Sequence, residues 1–600
     1  MNKISLYTLA LFLSLSSVNV HSQDNQRQKS DIFYHTIESG QTVYAIATMY
    51  GVSVDDIYKL NPGSEEGIQS GSTLRIPQKN HLEIPSSEKA DNYLYHTIQP
   101  KETLYSLSIK YNVPATRIIA ANPGLSTETF TIGKNIRIPS GKVEQQPTTV
   151  TEKKTVQSEM EYTVQKKETI YRICRKFNIS SVELLRLNPQ LKEGMKAGMV
   201  IKIPMTSEEI ITQNLKEPGE YEVNALLSTP KDIQKVNRIQ VALMLPFMAN
   251  ETTQSAATSR FIEYYEGLLL AVDSLKNMGT SVELSVYDTG HGTKKIKEIL
   301  SNEEALANTN LIIGAVQSDQ IGLVADFAQK HNIKYVIPFT SKNDDVLSNS
   351  SVYQVNTPHS YLYSKAAQAG CNLFANDNII LVDIKDKDAK PDFIKAFKSE
   401  MKQRNISYKT IPYKGESFAM DIESAMAKDK RNIIVPTTAS LDAINKIKAP
   451  LRMLTEVRAE EEKEPFRISL FGYPEWQTYT RECLEDFYAL NTYIYSNFYA
   501  DNLSGEVHNF YTKYKNWYSK NLINTFPKYG ILGFDTGMYF LGAINKYGSN
   551  FENNLDKIHY KSIQTGFDFH RVNNWGGFIN TSLFIVHYKS DYTVTRSEIR

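Results

Sequence analysis

Three stretches decide how this chain is read: QTVYAIATMYGVSVDDIYKLNPG (41–63), ETLYSLSIKYNVPATRIIAANPG (102–124) and ETIYRICRKFNISSVELLRLNPQ (168–190). Each follows a short alternating segment, Tyr34-His-Thr-Ile, Tyr95-His-Thr-Ile or Tyr162-Thr-Val, and each ends in a second one, TLRIP, NIRIP or VIKIP, closing at Pro77, Pro139 and Pro204. The alternation reads as strands and the apolar spacing between them as helices. Thr42, Thr103 and Thr169 are N-cap candidates. Gly51, Asn112 and Asn178 fall where a left-handed residue would stop the first helix. Asn61-Pro62, Asn122-Pro123 and Asn188-Pro189 end the second, because proline cannot continue it. The repeat is therefore a βααβ module of about 45 residues, small enough to be marginal alone.

The three repeats resemble the LysM domain, whose opening Tyr-x-Val/Ile strand, Thr-Leu helix start, Asn-Pro pair and closing Ile-Pro recur here. The resemblance implies binding of peptidoglycan or another N-acetylglucosamine polymer. The implied site is a shallow groove between the first strand-to-helix loop and the loop after the second helix. Carried onto this sequence, the groove is Gly40, Gln41, Thr42, Asn61, Pro62 and Ile68 in the first repeat. It is Lys101, Glu102, Thr103, Asn122 and Pro123 in the second, and Lys167, Glu168, Thr169, Asn188 and Pro189 in the third. Neutral amide, hydroxyl and backbone groups suit acetamido sugars. The same residues have an architectural reading, with Thr capping a helix and Asn closing a turn. Polar linkers between the repeats would let several weak sites act together.

A 600-residue chain splits into several domains. The opening MNKISLYTLALFLSLSSVNVHSQ carries a lysine, an apolar run and a small-residue site before Gln23, and reads as a secretory signal peptide over 1–22. No other stretch is long and apolar enough for a membrane span. Export to the periplasm or cell envelope, in association with the wall, is expected. Lys and Arg number 67 against 66 Asp and Glu, and the excess is Lys3 of the leader, so no basic face for nucleic acid is expected. Cys174, Cys371 and Cys483 are too few for a disulfide framework or a thiolate zinc site and read as buried thiols.

From about Arg238 the texture changes. IQVALMLPF, VELSVYDTG, LIIGAVQS, KYVIPFT, NIILVDI, NIIVPTTAS and ISLFGYPEW read as strands separated by helices, the pattern of a parallel sheet covered on both faces. The region is too long for one such sandwich, so two lobes are expected. Its order resembles the type I periplasmic binding protein fold, on ALMLPF, YYEGLLLAVD, VYDTG, LIIGAVQS, VIPFTS, LFGYPEWQ and GFDTGMYFLGAI. That resemblance implies a solute held between lobes at the carboxyl ends of strands, with Gln317, Ser318, Thr340 and Ser341 as the solute-binding candidates and no placed acidic partner for an amine. The division expected is a leader (1–22), LysM modules at 33–78, 94–140 and 161–205, a linker at 206–237 and a bilobed α/β domain at 238–600.

Asp-Thr-Gly occurs twice, at Asp288 and Asp535, as in a two-carboxylate protease. Asp288 reads as the end of a strand closing a turn or capping a helix, and Asp535 as the start of one. DIKDKDAK (383–390) lacks the ligands of a calcium loop, and the acidic run at 456–465 reads as a solvated helix end or loop. Tyr511, Tyr514 and Trp517 share a helical face that reads as core. No zinc-hydrolase or cysteine-hydrolase motif is present, and no cofactor or metal is expected. The expectation is a non-catalytic envelope protein that binds glycan and carries a solute-receptor-like domain. The alternatives are a scaffold whose receptor-like domain binds protein, and a cell-wall hydrolase.

Overall fold

The computed structural model describes residues 32–38, 40–78, 93–140, 149–214, 219–228, 235–252, 254–456 and 464–599. The leader, the polar stretch at 81–92 and most of the acidic run at 456–465 lie outside them. Each repeat is a two-stranded antiparallel sheet holding two helices. Strand β1 (Ile32–Thr36) pairs with β2 (Thr73–Pro77), β3 (Tyr93–Thr97) with β4 (Asn135–Pro139), and β5 (Thr149–Thr163) with β6 (Val200–Asn214). The first helices, Val43–Tyr50, Leu104–Tyr111 and Ile170–Phe177, end on Gly51, Asn112 and Asn178 at φ 63°, 53° and 54°. Only glycine and asparagine take that left-handed turn at little cost.

Parts of two stretches read as linkers carry regular structure. β5 begins at Thr149 and β6 runs to Asn214, in a continuous register from Thr149↔Asn214 to Thr163↔Val200, and a short helix follows at Glu220–Ala225. Polar residues dominate both arms, so no apolar face marks them; the Thr, Val and Ile enrichment was the available sign.

The chain divides into two compact units, one comprising Met1–Glu102, Ile118–Pro139 and Thr229–Arg600, the other Thr103–Arg117 and Ser140–Ser228. Most of the first is a pair of seven-stranded sheets. One lobe orders its strands β17-β18-β11-β10-β9-β7-β8, from β7 (Ile239–Leu245), β8 (Val282–Asp288), β9 (Leu311–Gly314), β10 (Lys334–Ile337), β11 (Val352–Gln354), β17 (Phe569–Arg571) and β18 (Phe578–Asn580). The other orders them β13-β12-β14-β15-β16-β19-β20, from β12 (Asn378–Asp383), β13 (Tyr408–Pro412), β14 (Asn432–Pro436), β15 (Ile468–Gly472), β16 (Tyr493–Ser496), β19 (Leu583–Tyr588) and β20 (Val594–Ile599). All seven expected strands are present and parallel to their neighbours. The antiparallel hairpins at the end of the chain extend both sheets, and the sequence reading missed them. The chain passes between lobes after β11, after β16 and between β18 and β19. The long helix Tyr529–Tyr547 packs on Ala256–Asn277 in the first lobe, where Gly267, Gly530 and Gly533 allow backbone-to-backbone approach.

The first repeat and the strands of the second are packed, within the first unit, onto the loop joining β17 to β18. Trp575 from that loop stands 5.9 Å from the Tyr50 ring and 5.4 Å from Tyr95, with the Arg137 guanidinium 4.9 Å away. Asn574 Nδ2 donates to Asn135 O at 3.0 Å, and Gly124 N donates to Asn574 O at 2.8 Å. Repeat meets repeat through Thr97 Oγ1, which donates to Tyr34 O at 2.8 Å, and Asn135 Nδ2, which donates to Tyr50 Oη at 2.7 Å. The cysteines are free; Cys371 and Cys483 are buried, whereas Cys174 is only partly so.

Candidate functional site

In each repeat the nominated Thr, Asn and Gln or Glu side chains hold the module together. Thr42, Thr103 and Thr169 cap their helices, accepting from Ala45 N at 3.1 Å, Ser106 N at 3.1 Å and Arg172 N at 3.3 Å. Asn61, Asn122 and Asn188 clamp the second helix to the closing strand. Asn188 Nδ2 donates to Leu184 O at 2.9 Å and Lys202 O at 2.7 Å, and Oδ1 accepts from Lys202 N at 2.7 Å. Asn61 makes the same set to Ile57 and Arg75, and Asn122 to Ile118 and Arg137.

The residue before each capping Thr closes the strand-to-helix loop and ties it to the strand. Gln41 Oε1 accepts from Glu38 N at 2.9 Å and meets His35 Nε2 at 2.7 Å. Glu102 accepts from Gln99 N at 2.8 Å and meets His96 Nε2 at 2.5 Å. Glu168 accepts from Gln165 N at 2.7 Å and Tyr162 Oη at 2.8 Å. Burial holds the His35 ring below the usual imidazole range, partly offset by Gln41. Gly40, Lys101 and Lys167 share one left-handed conformation, with φ of 82°, 69° and 70°.

The residues nominated in the first repeat border more than one hollow. Asn61, Pro62 and Ile68 border an open depression of about 820 Å³ with Tyr34, Gln69 and Arg75. Gln41 instead lines a separate cavity of about 170 Å³ with His35, Lys134, Arg571 and Trp575. Gly40 faces the start of the helix Ser360–Leu373.

In the bilobed domain the solute candidates lie beyond the carboxyl ends of β9 and β10, but they bond locally. Gln317 Oε1 accepts from Gly292 N at 2.9 Å and its Nε2 meets His291 Nδ1 at 3.0 Å; Ser318 opens the helix Ser318–Lys330. Thr340 Oγ1 accepts from Lys342 N at 3.1 Å in a tight turn, with Ser341 inside it. A cluster the sequence reading missed stands at the equivalent ends of the other sheet. Glu475, just past β15, accepts from Lys390 Nζ at 2.6 Å and lies 3.6 Å from His359 Nδ1, while its Oε2 is buried and has no hydrogen-bond partner among the described residues. Burial holds His359 below its usual range against the pull of Glu475. The acid after a strand end in GYPEW was the visible sign; its partners, at two distant helix starts, were not.

Neither Asp-Thr-Gly is catalytic in form. Asp288 ends β8 and accepts from Met248 N, Ala249 N and Gly290 N, each at 3.1 Å, and from Lys295 Nζ at 3.2 Å. Burial would raise its carboxyl, but these donors hold it below the ordinary range. Asp535 does not open a helix. The helix starts at Tyr529, and Asp535 lies fully buried within it, accepting from the Ile563, Gln564 and Thr565 amides at 2.8–2.9 Å. Burial raises its carboxyl to about 6 against those donors. Of the aromatic face at 511–517, Tyr514 is core but Trp517 is half exposed, a helix edge rather than a uniform face. Among the described residues no group of three His, Cys, Asp or Glu side chains is placed to hold a metal, and no helix is long and apolar enough to cross a membrane.

The LysM domain family model matches residues 35–77, 96–139 and 162–204. Similar curated proteins include YdhD of Bacillus subtilis, named as a sporulation-specific glycosylase, 36% identical over 109 residues, 18% of this chain and 22% of that one. The N-acetylmuramoyl-L-alanine amidase sle1 of Staphylococcus aureus is 24% identical over 174 residues, 28% of this chain and 52% of that one. The chain thus spans about a fifth to a half of these relatives, through the repeats alone. Among solved structures, a branched-chain amino acid ABC transporter periplasmic ligand-binding protein of Burkholderia xenovorans is 13% identical, covering 60% of this chain and 95% of that one, with a TM-score of 0.39. The leucine binding protein LivK of Thermotoga maritima is 16% identical, with coverage of 60% and 99% and a TM-score of 0.34. The chain carries three LysM domains followed by a large bilobed α/β domain.

Proposed function

We propose that this chain, three LysM domains joined to a bilobed α/β domain, is an exported, wall-associated envelope protein that binds the N-acetylglucosamine-containing glycan of peptidoglycan and performs no hydrolysis. The observation that carries the reading is the threefold recurrence of an intact module, in which the capping Thr, the loop-closing Gln or Glu and the clamping Asn keep the same bonds. The divisions 33–78, 94–140, 161–205 and 238–600 and the loops at 40–42, 101–103 and 167–169 as candidate glycan loops belong to this proposal. Purified full chain should sediment with peptidoglycan and be released by soluble N-acetylglucosamine oligomers. Failure to sediment would defeat it, and release of soluble muropeptides would favour a hydrolase.

The bilobed domain binds a small polar solute in this proposal, at the facing strand ends that carry Gln317, Ser318, Thr340 and Ser341 on one lobe and Glu475, Lys390 and His359 on the other. A buried carboxylate oxygen without a partner favours a donor group on that solute. A thermal-shift screen over amines and amides should find a compound that stabilises the parent by mass action and not Glu475→Gln. No hit, combined with capture of an envelope protein, would favour the scaffold.

A further inference from the structure

The two loops that would rim the sugar groove of the first repeat abut one face of the bilobed domain. A Cβ built on Gly40 would lie under 3.0 Å from Tyr361 Cα and 3.2 Å from Ser360 O. One built on Gly67, in the loop after the second helix, would lie under 3.0 Å from Lys395 Nζ. Tyr361 and Lys395 belong to adjacent helices, Ser360–Leu373 and Pro391–Gln403, which pack together in the second lobe. Tyr361 also joins the apolar cluster that contains Phe33, Ile46 and Ile57 of the repeat. On the first-lobe side, Tyr44 Oη donates to Asp344 Oδ2 at 3.2 Å, and Tyr50 meets Trp575. The first repeat therefore touches both lobes, and its contact with the second is made by the groove loops.

The third repeat differs at the same two places. Lys167 stands where Gly40 stands, in the same left-handed conformation. Gly194, at the same distance from the Asn-Pro pair as Gly67, has open space around an added Cβ, as does Gly198, among the described residues. In the second repeat, Gly124 lies under 3.0 Å, by the same measure, from the Arg571 side chain. A lysine cannot occupy position 40 while the Tyr361 backbone lies against it, so the glycine suits docking at this repeat alone.

From this geometry we infer that the groove of the first repeat is an intramolecular docking surface for the second lobe, so that glycan cannot span both of its loops, and that glycan binding by the chain is centred on the third repeat. The second half of this inference rests on the glycan reading above; the first half does not. Glycan and the second lobe compete for one surface, so opening it and moving that lobe are reciprocally linked.

The test is Gly40→Lys in the full chain, followed by hydrogen exchange with and without the N-acetylglucosamine hexasaccharide. Lys101 and Lys167 show that the turn accepts lysine, so the repeat itself should stay folded. Without sugar, exchange at 38–42 and 360–363 should rise about tenfold over the parent. Lys395→Ala, which removes the side chain over Gly67, should raise exchange at 66–68. With sugar, the parent should be protected at 165–169 and 188–199 only, and Gly40→Lys should gain protection at 61–68. Protection of 38–42 and 61–68 in the parent, or unchanged sugar-free exchange in both variants, would overturn the inference. Absence of protection in any repeat would defeat the glycan reading and the third-repeat assignment, while the sugar-free comparison still decides the docking.

Discussion

Replacing Asn188 with Ala separates a clamp from a ligand. The side chain is 1% exposed and makes three hydrogen bonds, two to Lys202 and one to Leu184. At a net value of about 1 kcal/mol each the loss is about 3 kcal/mol, and more if the buried Lys202 amide and carbonyl stay unsatisfied. A module of about 45 residues has on the order of 2–7 kcal/mol in total. Asn188→Ala should therefore remove about two-fifths or more of the stability of the third repeat. Asn188→Asp keeps the acceptor for Lys202 N but loses both donated bonds, and should cost about 2 kcal/mol. Native-state hydrogen exchange of the full chain reads this locally, as lost protection at 170–203 with lobe strands unchanged. The reasoning is refuted if Asn188→Ala leaves that protection within about 1 kcal/mol of the parent and abolishes glycan binding, because the side chain would then be a ligand group.

Trp575→Ala removes the indole between Tyr50, Tyr95 and Arg137 and should cost about 3–5 kcal/mol, seen as faster exchange at 32–77 and 93–97 but not in β12, β14 or β15. Asp535→Asn sets an amide donor against three backbone donors and should cost on the order of 2–4 kcal/mol in a urea melt; parental stability would refute its architectural role. One half-buried and one buried group should tilt stability with pH in opposite senses. His587, stacked 3.8 Å from the Tyr493 ring, is held down to about 4, first by burial, so its contribution is full above 6.5 and is lost as pH falls toward 4. Discounted for its partial exposure, that is about 1–2 kcal/mol, and His587→Gln should flatten the loss. Asp535, raised to about 6, binds its proton more readily folded than unfolded, so its contribution grows as pH falls from 6 toward 3.8, and Asp535→Asn should remove that trend. Melts at stepped pH check both signs.

The sequence determined the elements whose causes are local. Thr42 followed by an apolar helical pattern, Gly51 at its end and Asn61-Pro62 after it prescribe one helix, one left-handed turn and one stop, because capping, positive φ and proline sterics act within a few residues. Six of the seven expected strands were legible for the same reason, as apolar runs that only a doubly covered sheet buries, while β8, at a sheet edge, alternates. Only the tertiary structure decided what depends on distant partners. It bonded Asn61, Asn122 and Asn188 to a strand and a helix at once. It put Asp535 inside a helix, since the donors that hold it come from 563–565. It gathered Glu475, Lys390 and His359, and it laid Tyr361 over Gly40. A side chain's residue type fixes the bonds it can form; whether a sugar, a strand or another domain takes them depends on which backbone the fold brings within about 3 Å.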